Sequence, residues 1–450
     1  MASTKITRTP SSTGSSTTWT YSMWIKLGNI GTEYVLFHNY GSDNTSEVFA
    51  KIGASSGVID FGLRNSSTYN GRLITNRLFR DPSAWYHLVF NCDTTNATAG
   101  NRMRIYVNGV EETSFSTDTQ PSQNQTTVFN QAYEHTIGSY GSGNYFDGEM
   151  AHVHMTDGTV YAASTFGETD STSGIWKPKT APSVTYGTNG FFLKFENSGN
   201  MDLDSSGNNL TFATSGTLTQ NVDTPSNNFA TGNPLVMHIS HTGTFSNGNN
   251  KLVTSAGGKQ ILVSSLAVSS GKWYAEYKAD AVGGGTMIGV IPYEVVVNTL
   301  RLNNYLGQDN GSVSMLNTTG AVYNPPTASG ITGVTYTSGD IIGVAVDLDN
   351  SYCYFHKNGT YINSGNPASG ASGTGGVPFT KGDSFWCFAG GDSTDAGGSV
   401  ATISVNFGSG YFGTTAVSSA NADANGHGIM EYAVPSGYYT LNTKNIKEFG

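Results

Sequence analysis

The sequence predicts an all-β fold of two antiparallel sandwiches in tandem, and three observations lead to this prediction. Apolar residues alternate with polar residues along many short segments, which is the pattern of strands that bury one face. Gly, Asn, Ser and Asp separate those segments, as in the turns of antiparallel sheets. Apart from one short candidate at Ala416–Ala424, no segment has the apolar period of a helix. Many short strands without crossover helices favour sandwiches over α/β folds.

The composition is that of a folded chain with few charges. Lys and Arg number 22 and Asp and Glu 32, so charged residues make up 12 % of the 450 residues, against roughly a quarter in average proteins. Aromatic residues also make up 12 %, whereas disordered chains contain few. The formal net charge of -10, without any run of Lys or Arg, argues against nucleic acid as a partner. No apolar stretch approaches the ~20 residues of a membrane span, and the N-terminus lacks the apolar region of a secretory signal.

The first half contains three strand patterns and a hairpin signal. Every odd position of Trp19–Leu27 is apolar, which predicts a half-buried strand. Trp85–Cys92 and Arg102–Val107 repeat this alternation. Asn108 and Gly109 follow directly, and Asn-Gly supplies the two residues with positive φ that a type I′ hairpin requires.

The second half uses the same pattern. Lys272–Lys278 predicts a strand that buries Trp273, and Val400–Phe407 alternates in the same way. Asp340–Leu348 and Tyr352–Lys357 form a further pair, which a second Asn-Gly closes. The alternation lapses over residues 222–234, where Pro, Asn and Thr cluster. We therefore place the first sandwich at residues 1–225 and the second at residues 226–450.

Two sets of segments resemble two branches of the concanavalin A-like jelly-roll superfamily. The first set resembles the laminin-G/pentraxin pattern and comprises Trp85–Val89, Asp93, Arg104–Gly109 and Asp147–Ala151. The second set resembles a SPRY-like domain and comprises Ser270–Tyr277, Ile288–Val290, Gly339–Asp347 and Tyr354–Gly359. The resemblance implies two jelly-roll sandwiches, a laminin-G/concanavalin A-like one followed by a SPRY-like one.

The connecting segments resemble a different group, the large structural proteins of marine bacteriophages. These segments are Phe166–Asp170, Trp176–Lys179, Tyr186–Gly190, Asp223–Phe229 and Tyr438–Gly450. Such proteins are usually fibre, tail or surface components of the virion. The resemblance implies a virion protein made in the host cytoplasm, with other virion subunits as partners. The high copy number of virion components implies a homo-oligomer as well.

Two segments combine aromatic rings with amides and charges, the mixture that binds sugars through ring faces and hydrogen bonds. We expect both to be loops that contact a host-surface polysaccharide. The candidate residues are Tyr69, Asn70 and Arg72 in one segment and Asn144, Tyr145 and Asp147 in the other. The alternative is that these aromatic residues pack against the end of the sandwich.

Two further pairs are candidate metal ligands. Asp202 and Asp204 resemble the first half of a calcium loop, although no acidic residue completes it, and an Asx turn explains them equally well. His152 and His154 alternate on one strand face, which suits a divalent metal, and two exposed strand histidines are the alternative. We expect no ion to be required for folding and no cofactor, with calcium as the candidate ion.

The sequence lacks the residues of a glycan-cleaving site. Glycoside hydrolases need two carboxylates that face each other across the scissile bond. Glu276 and Asp280 come closest, but Asp280 falls where its strand should end. The leading hypothesis is therefore a non-enzymatic phage virion protein, a tail fibre or surface adhesin that binds host-surface glycan. The alternatives are a capsid or tail decoration protein with purely structural subunit contacts, and a glycan-cleaving enzyme.

Overall fold

The computed structural model describes residues 4–43, 45–54, 56–171, 174–236, 243–255, 259–298, 305–308, 311–324, 327–393 and 400–450. The chain divides into two compact units, Met1–Gln220 and Asn221–Gly450. The fold is all-β, with 7 % helix and 42 % strand in two antiparallel jelly-roll sandwiches, which confirms the predicted fold class. Among the described residues, no helix is long and apolar enough to cross a lipid bilayer.

The described residues of the first unit form sixteen strands. These are β1 (Lys5–Arg8), β2 (Thr18–Leu27), β3 (Tyr34–Tyr40), β4 (Glu47–Ile52), β5 (Ile59–Asn65), β6 (Thr68–Thr75), β7 (Trp85–Asp93), β8 (Met103–Val107), β9 (Val110–Glu111), β10 (Phe115–Thr119), β11 (His135–Ile137), β12 (Gly148–Asp157), β13 (Gly167–Thr169), β14 (Trp176–Pro178), β15 (Phe191–Leu193) and β16 (Ala213–Ser215). Single 3₁₀ turns lie at Ala99–Asn101 and Ala163–Thr165.

Two sheets enclose the core of this unit. The eight-stranded sheet has the order β10-β6-β5-β4-β3-β11-β1-β16, and the six-stranded sheet has the order β15-β12-β2-β7-β8-β9. The odd positions of β2 face the core as predicted, and Trp19 is fully buried with its ring centroid 4.3 Å from that of Phe129. The alternation of β2 therefore fixes which of its faces joins the core.

The other face of β2 is buried too, although the sequence predicted a strand with only one buried face. The Thr20 hydroxyl donates to the Thr159 carbonyl at 3.1 Å, and Asn91 Nδ2 donates to the Tyr161 carbonyl at 3.0 Å. Phe166 packs with Val89 in a small apolar cluster on the same side. The chain after β12 thus covers the outer face of the six-stranded sheet.

In the second unit, the part of the chain that the structure describes forms seventeen strands and two short α-helices. The strands are β17 (Thr244–Ser246), β18 (Lys251–Val253), β19 (Gln260–Val263), β20 (Lys272–Ala281), β21 (Thr286–Pro292), β22 (Val313–Leu316), β23 (Ala321–Asn324), β24 (Thr327–Thr332), β25 (Ile341–Asp347), β26 (Tyr352–Lys357), β27 (Thr360–Tyr361), β28 (Val377–Pro378), β29 (Trp386–Asp392), β30 (Thr402–Asn406), β31 (Tyr411–Phe412), β32 (Thr415–Ala416) and β33 (Tyr439–Thr440). The helices are α1 (Tyr293–Asn298) and α2 (Thr443–Phe449), and 3₁₀ segments lie at Ile362–Ser364 and Pro367–Ser372.

This unit is again built from two main sheets. One has the order β17-β18-β30-β20-β25-β26-β27, with β28 on β26 and β33 parallel to β20. The other has the order β19-β29-β21-β22-β23-β24. Trp273, Ala275 and Tyr277 of β20 lie in the core between them, as predicted.

The turn predictions were correct and the helix prediction was wrong. Asn108 and Gly109 have φ values of 49° and 85°, and Asn358 and Gly359 have 50° and 84°, as type I′ hairpins require. Ala416–Ala424 is not helical. The helix α2 instead begins after Asn442, whose side chain accepts a hydrogen bond from the Asn445 N–H.

Truncating Trp273 to Ala should destabilise the second unit by about 3–5 kcal/mol, because the buried ring leaves a cavity. The indole is fully buried and donates from Nε1 to the Ser270 carbonyl at 2.7 Å. Denaturant unfolding measures the loss. Phe385→Ala is the control, since Phe385 is 53 % exposed and its loss should change stability by less than about 0.5 kcal/mol. Equal effects of the two substitutions would contradict the assigned faces.

Candidate functional site

The outer face of the eight-stranded sheet carries a dense set of charged and aromatic side chains. Core residues such as Val48 and Phe61 alternate along β4 and β5 with side chains that point the other way. The register places Tyr40 opposite Glu47, Glu47 opposite Arg64 and Arg64 opposite Tyr69. We call this surface the outer sheet face, and its members are His38, Tyr40, Glu47, Phe49, Lys51, Asp60, Arg64, Tyr69 and Arg72.

Glu47 is the buried centre of the outer sheet face. Its carboxylate accepts hydrogen bonds from His38 Nε2 at 3.2 Å and from the Tyr140 hydroxyl. It also forms an ion pair with a terminal nitrogen of Arg64 at 2.9 Å. Burial acts to raise the pKa of Glu47, but the hydrogen bonds from His38 and Tyr140 and the charge of Arg64 lower it below its ordinary value. Glu47 is therefore a fixed, ionised carboxylate.

Arg72 and Tyr69 lie in contact beside this centre. The Arg72 guanidinium donates to both oxygens of Asp60, from Nε at 3.0 Å and from a terminal nitrogen at 2.7 Å. Its Cζ atom lies 4.2 Å from the centroid of the Tyr69 ring, a cation–π contact. Tyr69 remains 37 % exposed. The segment predicted as a loop is thus part of strand β6, where a register shift beside Arg64 accommodates Asn70 as an extra residue.

The second predicted segment lies at the other side of the outer sheet face. Asn144 Nδ2 donates to Glu33 Oε1 at 2.7 Å, and Glu33 Oε2 pairs with Lys51 Nζ at 3.0 Å. Tyr145 and Asp147 are partly buried in the loop before β12, and burial raises the pKa of Asp147. Three strand spacings separate β6 from β3, about 14 Å. Asn144 therefore borders the outer sheet face on the side away from Tyr69 and Arg72, whereas Asp147 lies against Gly28 just after β2, and the six predicted residues do not form one pocket.

A cavity of about 80 Å³ with polar and apolar walls opens where β4 begins and β5 ends, and no pattern in the sequence predicted it. Its walls include Glu47, Arg64, Asn65, Gln125 and Gln131. These residues meet because the start of β4 and the end of β5 lie next to the segment that precedes β11. Amide groups and a guanidinium in one cavity are suited to a ligand rich in oxygen atoms.

Two family models match the chain. The model described as the concanavalin A-like lectin/glucanases superfamily matches residues 2–164, and the SPRY domain model matches residues 272–377. The chain carries a concanavalin A-like domain and a SPRY domain. No curated protein gives a significant match.

Solved structures give similarities at low sequence identity. The SPRY domain of human HERC1 is 17 % identical over 39 % of this chain and 96 % of that one, with a TM-score of 0.28. A heptameric SAP-like pentraxin from Limulus polyphemus is 15 % identical over 42 % and 88 %, with a TM-score of 0.29. Domain 4 of the arabinanase AbnA from Geobacillus stearothermophilus, solved with arabinotriose, is 18 % identical over 33 % and 65 %, with a TM-score of 0.26.

The predicted calcium residues have different surroundings in the structure. Asp204, in the first unit, accepts hydrogen bonds from the backbone N–H groups of Phe192, Ser206 and Leu210 at 2.9–3.0 Å. Asp202 accepts one from the Thr214 hydroxyl at 2.8 Å. Asp204 is thus the centre of an Asx turn, the alternative to a calcium ligand, because N–H donors occupy its oxygens.

The predicted histidine pair lies on the outer face of the six-stranded sheet. The ring centroids of His152 and His154 are 6.5 Å apart. His154 is buried, stacked on Phe192 at 3.8 Å, with Nδ1 2.9 Å from the Tyr186 hydroxyl. Burial lowers the pKa of His152 to about 4 and that of His154 well below its ordinary value. The alternative of two exposed histidines is wrong, because the aromatic residues after β12 cover His154.

Across the described ranges, no group of three or more His, Cys, Asp or Glu side chains is arranged to hold a metal ion. We therefore predict that excess EDTA leaves the midpoint of thermal unfolding unchanged to within about 1 °C. A site filled at a hundred times its Kd would contribute about 2.7 kcal/mol, which calorimetry resolves. A fall of several degrees would contradict this prediction. Asp204→Asn and His152→Asn would then identify which pair binds the ion.

The SPRY domain buries a second carboxylate, Glu276. Its carboxylate accepts hydrogen bonds from the backbone N–H groups of Glu431 and Tyr432, at 2.9 and 2.8 Å, and from the Tyr274 hydroxyl at 2.9 Å. His356 Nε2 lies 2.6 Å from the same hydroxyl, and its Nδ1 accepts from the Gly359 N–H, so Nε2 carries the proton. Glu276 is therefore enclosed by the last part of the second unit.

Asp280, the other carboxylate of that strand, has separate partners. The Ser404 hydroxyl donates to its Oδ2 at 2.5 Å, and Lys251 Nζ lies 3.5 Å from the same oxygen. At Asp280, the pairing of β20 with β30 shifts its register between Ala279 and Ala281. Glu276 and Asp280 thus belong to two different polar networks.

The pH dependence of stability should report on Glu276. Burial raises the pKa of Glu276 from 4.5 to about 7, although the hydrogen bonds from Tyr432, Glu431 and Tyr274 act to lower it. The folded state then holds a proton that the unfolded chain releases between about pH 4.5 and 7. The stability that Glu276 contributes is therefore fully present below this window and is lost as the pH rises through 7. The loss is on the order of 3 kcal/mol.

Denaturant unfolding of the full chain between pH 4.5 and 8 tests this expectation. Glu276→Gln should make stability depend less on pH, because glutamine does not titrate. The substitution also replaces one of the two oxygens that accept hydrogen bonds from backbone N–H groups, which lowers stability at every pH. Glu294→Gln, at an exposed position of the same unit, is the matched control. Identical slopes for Glu276→Gln and the unsubstituted chain would show that Glu276 does not titrate in this range.

Proposed function

We propose that this chain is a non-enzymatic carbohydrate-binding protein whose concanavalin A-like domain binds host-surface glycan through the outer sheet face. The observation that carries the proposal is the row formed by the exposed Tyr69, then Arg64, then the cavity beside Glu47. Sugars present CH faces that pack on aromatic rings and hydroxyl groups that bind amides and charges. This row offers both within neighbouring strands.

The rigidity of the outer sheet face supports recognition. Arg72 is held by a bidentate pair with Asp60 and packs on Tyr69, so the ring has little freedom to lose when a ligand binds. Glu47 is likewise held by three donors. A preformed surface binds with a smaller entropic cost than a flexible loop does.

The carboxylates of this face support binding without cleavage. A glycosidase requires a protonated carboxyl group as general acid, which means a raised pKa. The pKa of Glu47 is lowered instead, and Asp60 is committed to Arg72. Neither carboxyl group is thus prepared to donate a proton to a glycosidic oxygen.

The virion role in this proposal rests on the connecting segments that resemble marine bacteriophage structural proteins. A tail fibre or surface adhesin would display many copies, together with other virion subunits. Repeated copies convert weak single-site binding, on the order of millimolar to micromolar, into firm attachment. Homo-oligomerisation and location in the virion belong to this proposal.

Tyr69→Ala should weaken binding of the purified chain to extracted host-surface polysaccharide roughly two- to tenfold, since an aromatic contact is lost. Retention on polysaccharide-coated beads gives the affinity. Tyr293→Ala is the matched control, because Tyr293 is 40 % exposed in the second unit and should leave binding unchanged. Tyr145→Ala, alone and combined with Tyr69→Ala, measures whether the ligand reaches the opposite side of the face.

Three outcomes would contradict parts of this proposal. Release of reducing sugar from the polysaccharide would favour a glycan-cleaving enzyme. Equal retention of Tyr69→Ala and the unsubstituted chain would remove the outer sheet face as the site. Attachment of virions that is unchanged by deletion of this protein would favour a capsid or tail decoration protein.

A further inference from the structure

We infer that the ligand of the outer sheet face is the interior of an unbranched, uncharged polysaccharide chain, which crosses four strands and packs on a tyrosine at each end of its path. The inference rests on the proposed saccharide binding and specifies the class of saccharide. It also assigns Tyr40, together with Tyr140, as a second aromatic contact.

The path is a row of four residues on neighbouring strands. Tyr40 of β3 pairs with Glu47 of β4, Glu47 with Arg64 of β5, and Arg64 with Tyr69 of β6. Residues that pair directly across strands project their side chains to the same face of the sheet. Three strand spacings of about 4.8 Å place the two tyrosines roughly 14 Å apart. We call these four residues the tyrosine row.

Both ends of the tyrosine row present aromatic surface. Tyr69 is 37 % exposed, and the Arg72 guanidinium fixes its ring with Cζ 4.2 Å from the ring centroid. Tyr40 is partly exposed at the other end, and the ring of Tyr140, also partly exposed, has its centroid 5.5 Å from that of Tyr40. A sugar ring can therefore pack its CH face on aromatic carbon at either end.

The middle of the tyrosine row offers donors and keeps its carboxylate away from the ligand. Glu47 is buried, and the Tyr140 hydroxyl donates a hydrogen bond to it. Arg64 pairs with Glu47 through one terminal nitrogen, while its side chain stays 24 % exposed. A ligand that crosses the middle thus meets a held guanidinium, which has only donors and binds hydroxyl oxygens.

The length of the tyrosine row suits several sugar residues in sequence. Each residue of an extended polysaccharide advances the chain by about one strand spacing, ~4.8 Å. Four consecutive residues therefore cover the row, with the first and the fourth on Tyr69 and Tyr40. A single sugar ring reaches only one of the two tyrosines, so the second contact is gained only by a chain.

The row is open at both ends, which favours the interior of a chain over its terminus. β10 pairs with β6 only along Arg72–Thr75, so Tyr69 lies at the border of the sheet. β11 likewise pairs with β3 only along Phe37–Asn39, one residue short of Tyr40. Among the described residues, no further strand pairs beside either tyrosine, and a bound chain can continue past both.

The charges along this face favour an uncharged chain. Glu47 pairs with Arg64 at 2.9 Å, and Asp60 pairs with Arg72 at 2.7 Å, so neither cation needs an anion from the ligand. The formal net charge of -10 repels polyanions, whereas it does not act on a neutral chain. Hydroxyl groups both donate and accept, which matches paired charges better than a single charge does.

The test titrates the full-length chain with linear, uncharged oligosaccharides of two, four and six residues, prepared from cellulose, xylan, mannan and galactan. For at least one series, calorimetry should show that the tetrasaccharide binds about fivefold or more tightly than the disaccharide, because it adds the second tyrosine. The hexasaccharide should gain no more than about threefold again, since four of its six residues can occupy the row in only three registers. Borohydride opens the terminal ring at the reducing end, and this reduction should change the affinity of the hexasaccharide by less than about twofold.

Tyr40→Ala is the decisive variant. We expect it to lower affinity for the tetrasaccharide about two- to tenfold, and Tyr40→Phe, which keeps the ring, to preserve it. Tyr106→Ala is the matched control, because Tyr106 is a partly buried tyrosine on β8 of the six-stranded sheet and should leave every affinity unchanged. Unfolding midpoints verify that each variant folds, and the length series needs no variant.

The outcomes separate this inference from the proposed function. Equal affinities for disaccharide and tetrasaccharide in every series would overturn the inference, as would an unchanged tetrasaccharide affinity of folded Tyr40→Ala. Loss of hexasaccharide binding on reduction would also overturn it, because the chain end would then be the part recognised. Retention on host-surface polysaccharide without binding to any of these oligosaccharides would overturn the inference and leave saccharide binding in place. Binding to neither would contradict both.

Discussion

The alternation of side chains along two ten-residue central strands, β2 in the first unit and β20 in the second, is the constraint on which both units depend. Each strand has ten residues and pairs on both sides, β2 with β7 and β12, and β20 with β25 and β30. A shift of one residue in either register would move the tryptophan of that strand, Trp19 or Trp273, out of the core. The apolar face of each strand therefore fixes the register in which its neighbours pair with it. In that register, the polar side chains of β2 and β20 lie on the face away from the core.

That opposite face is covered by the unit's own chain in both cases. Residues after β12 cover His154 and Thr20 in the first unit, and Glu431 and Tyr432 enclose Glu276 in the second. Polar groups that a half-buried strand would expose to water are instead desolvated. This burial is the common cause of the lowered pKa of His154 and the raised pKa of Glu276.

Local patterns allowed the sequence to predict the all-β class, the core faces of β2 and β20 and both Asn-Gly hairpins. The polar centre of the outer sheet face could not be predicted in the same way. Tyr140 is 93 positions from its partner Glu47, and the two meet only because β11 pairs with β3. The sequence identified Tyr69 and Arg72 by residue type, but it did not reveal their place on a strand, which depends on pairing with β5. His154 was misjudged because the residues that cover it, Phe192 among them, lie almost forty positions away.

The outer sheet face illustrates how a chain with few charges can still offer specific polar recognition. Glu47, Asp60 and Glu33 are each neutralised by a basic side chain, Arg64, Arg72 and Lys51 respectively. Because the charges cancel in pairs, the surface exerts little long-range attraction, and a ligand must be selected by hydrogen-bond geometry at contact distance. The exposed ring of Tyr69 and the partly exposed guanidinium groups of Arg64 and Arg72 are the parts of this surface that a ligand can contact. Specificity at such a surface therefore depends on how firmly the fold holds these paired groups in place.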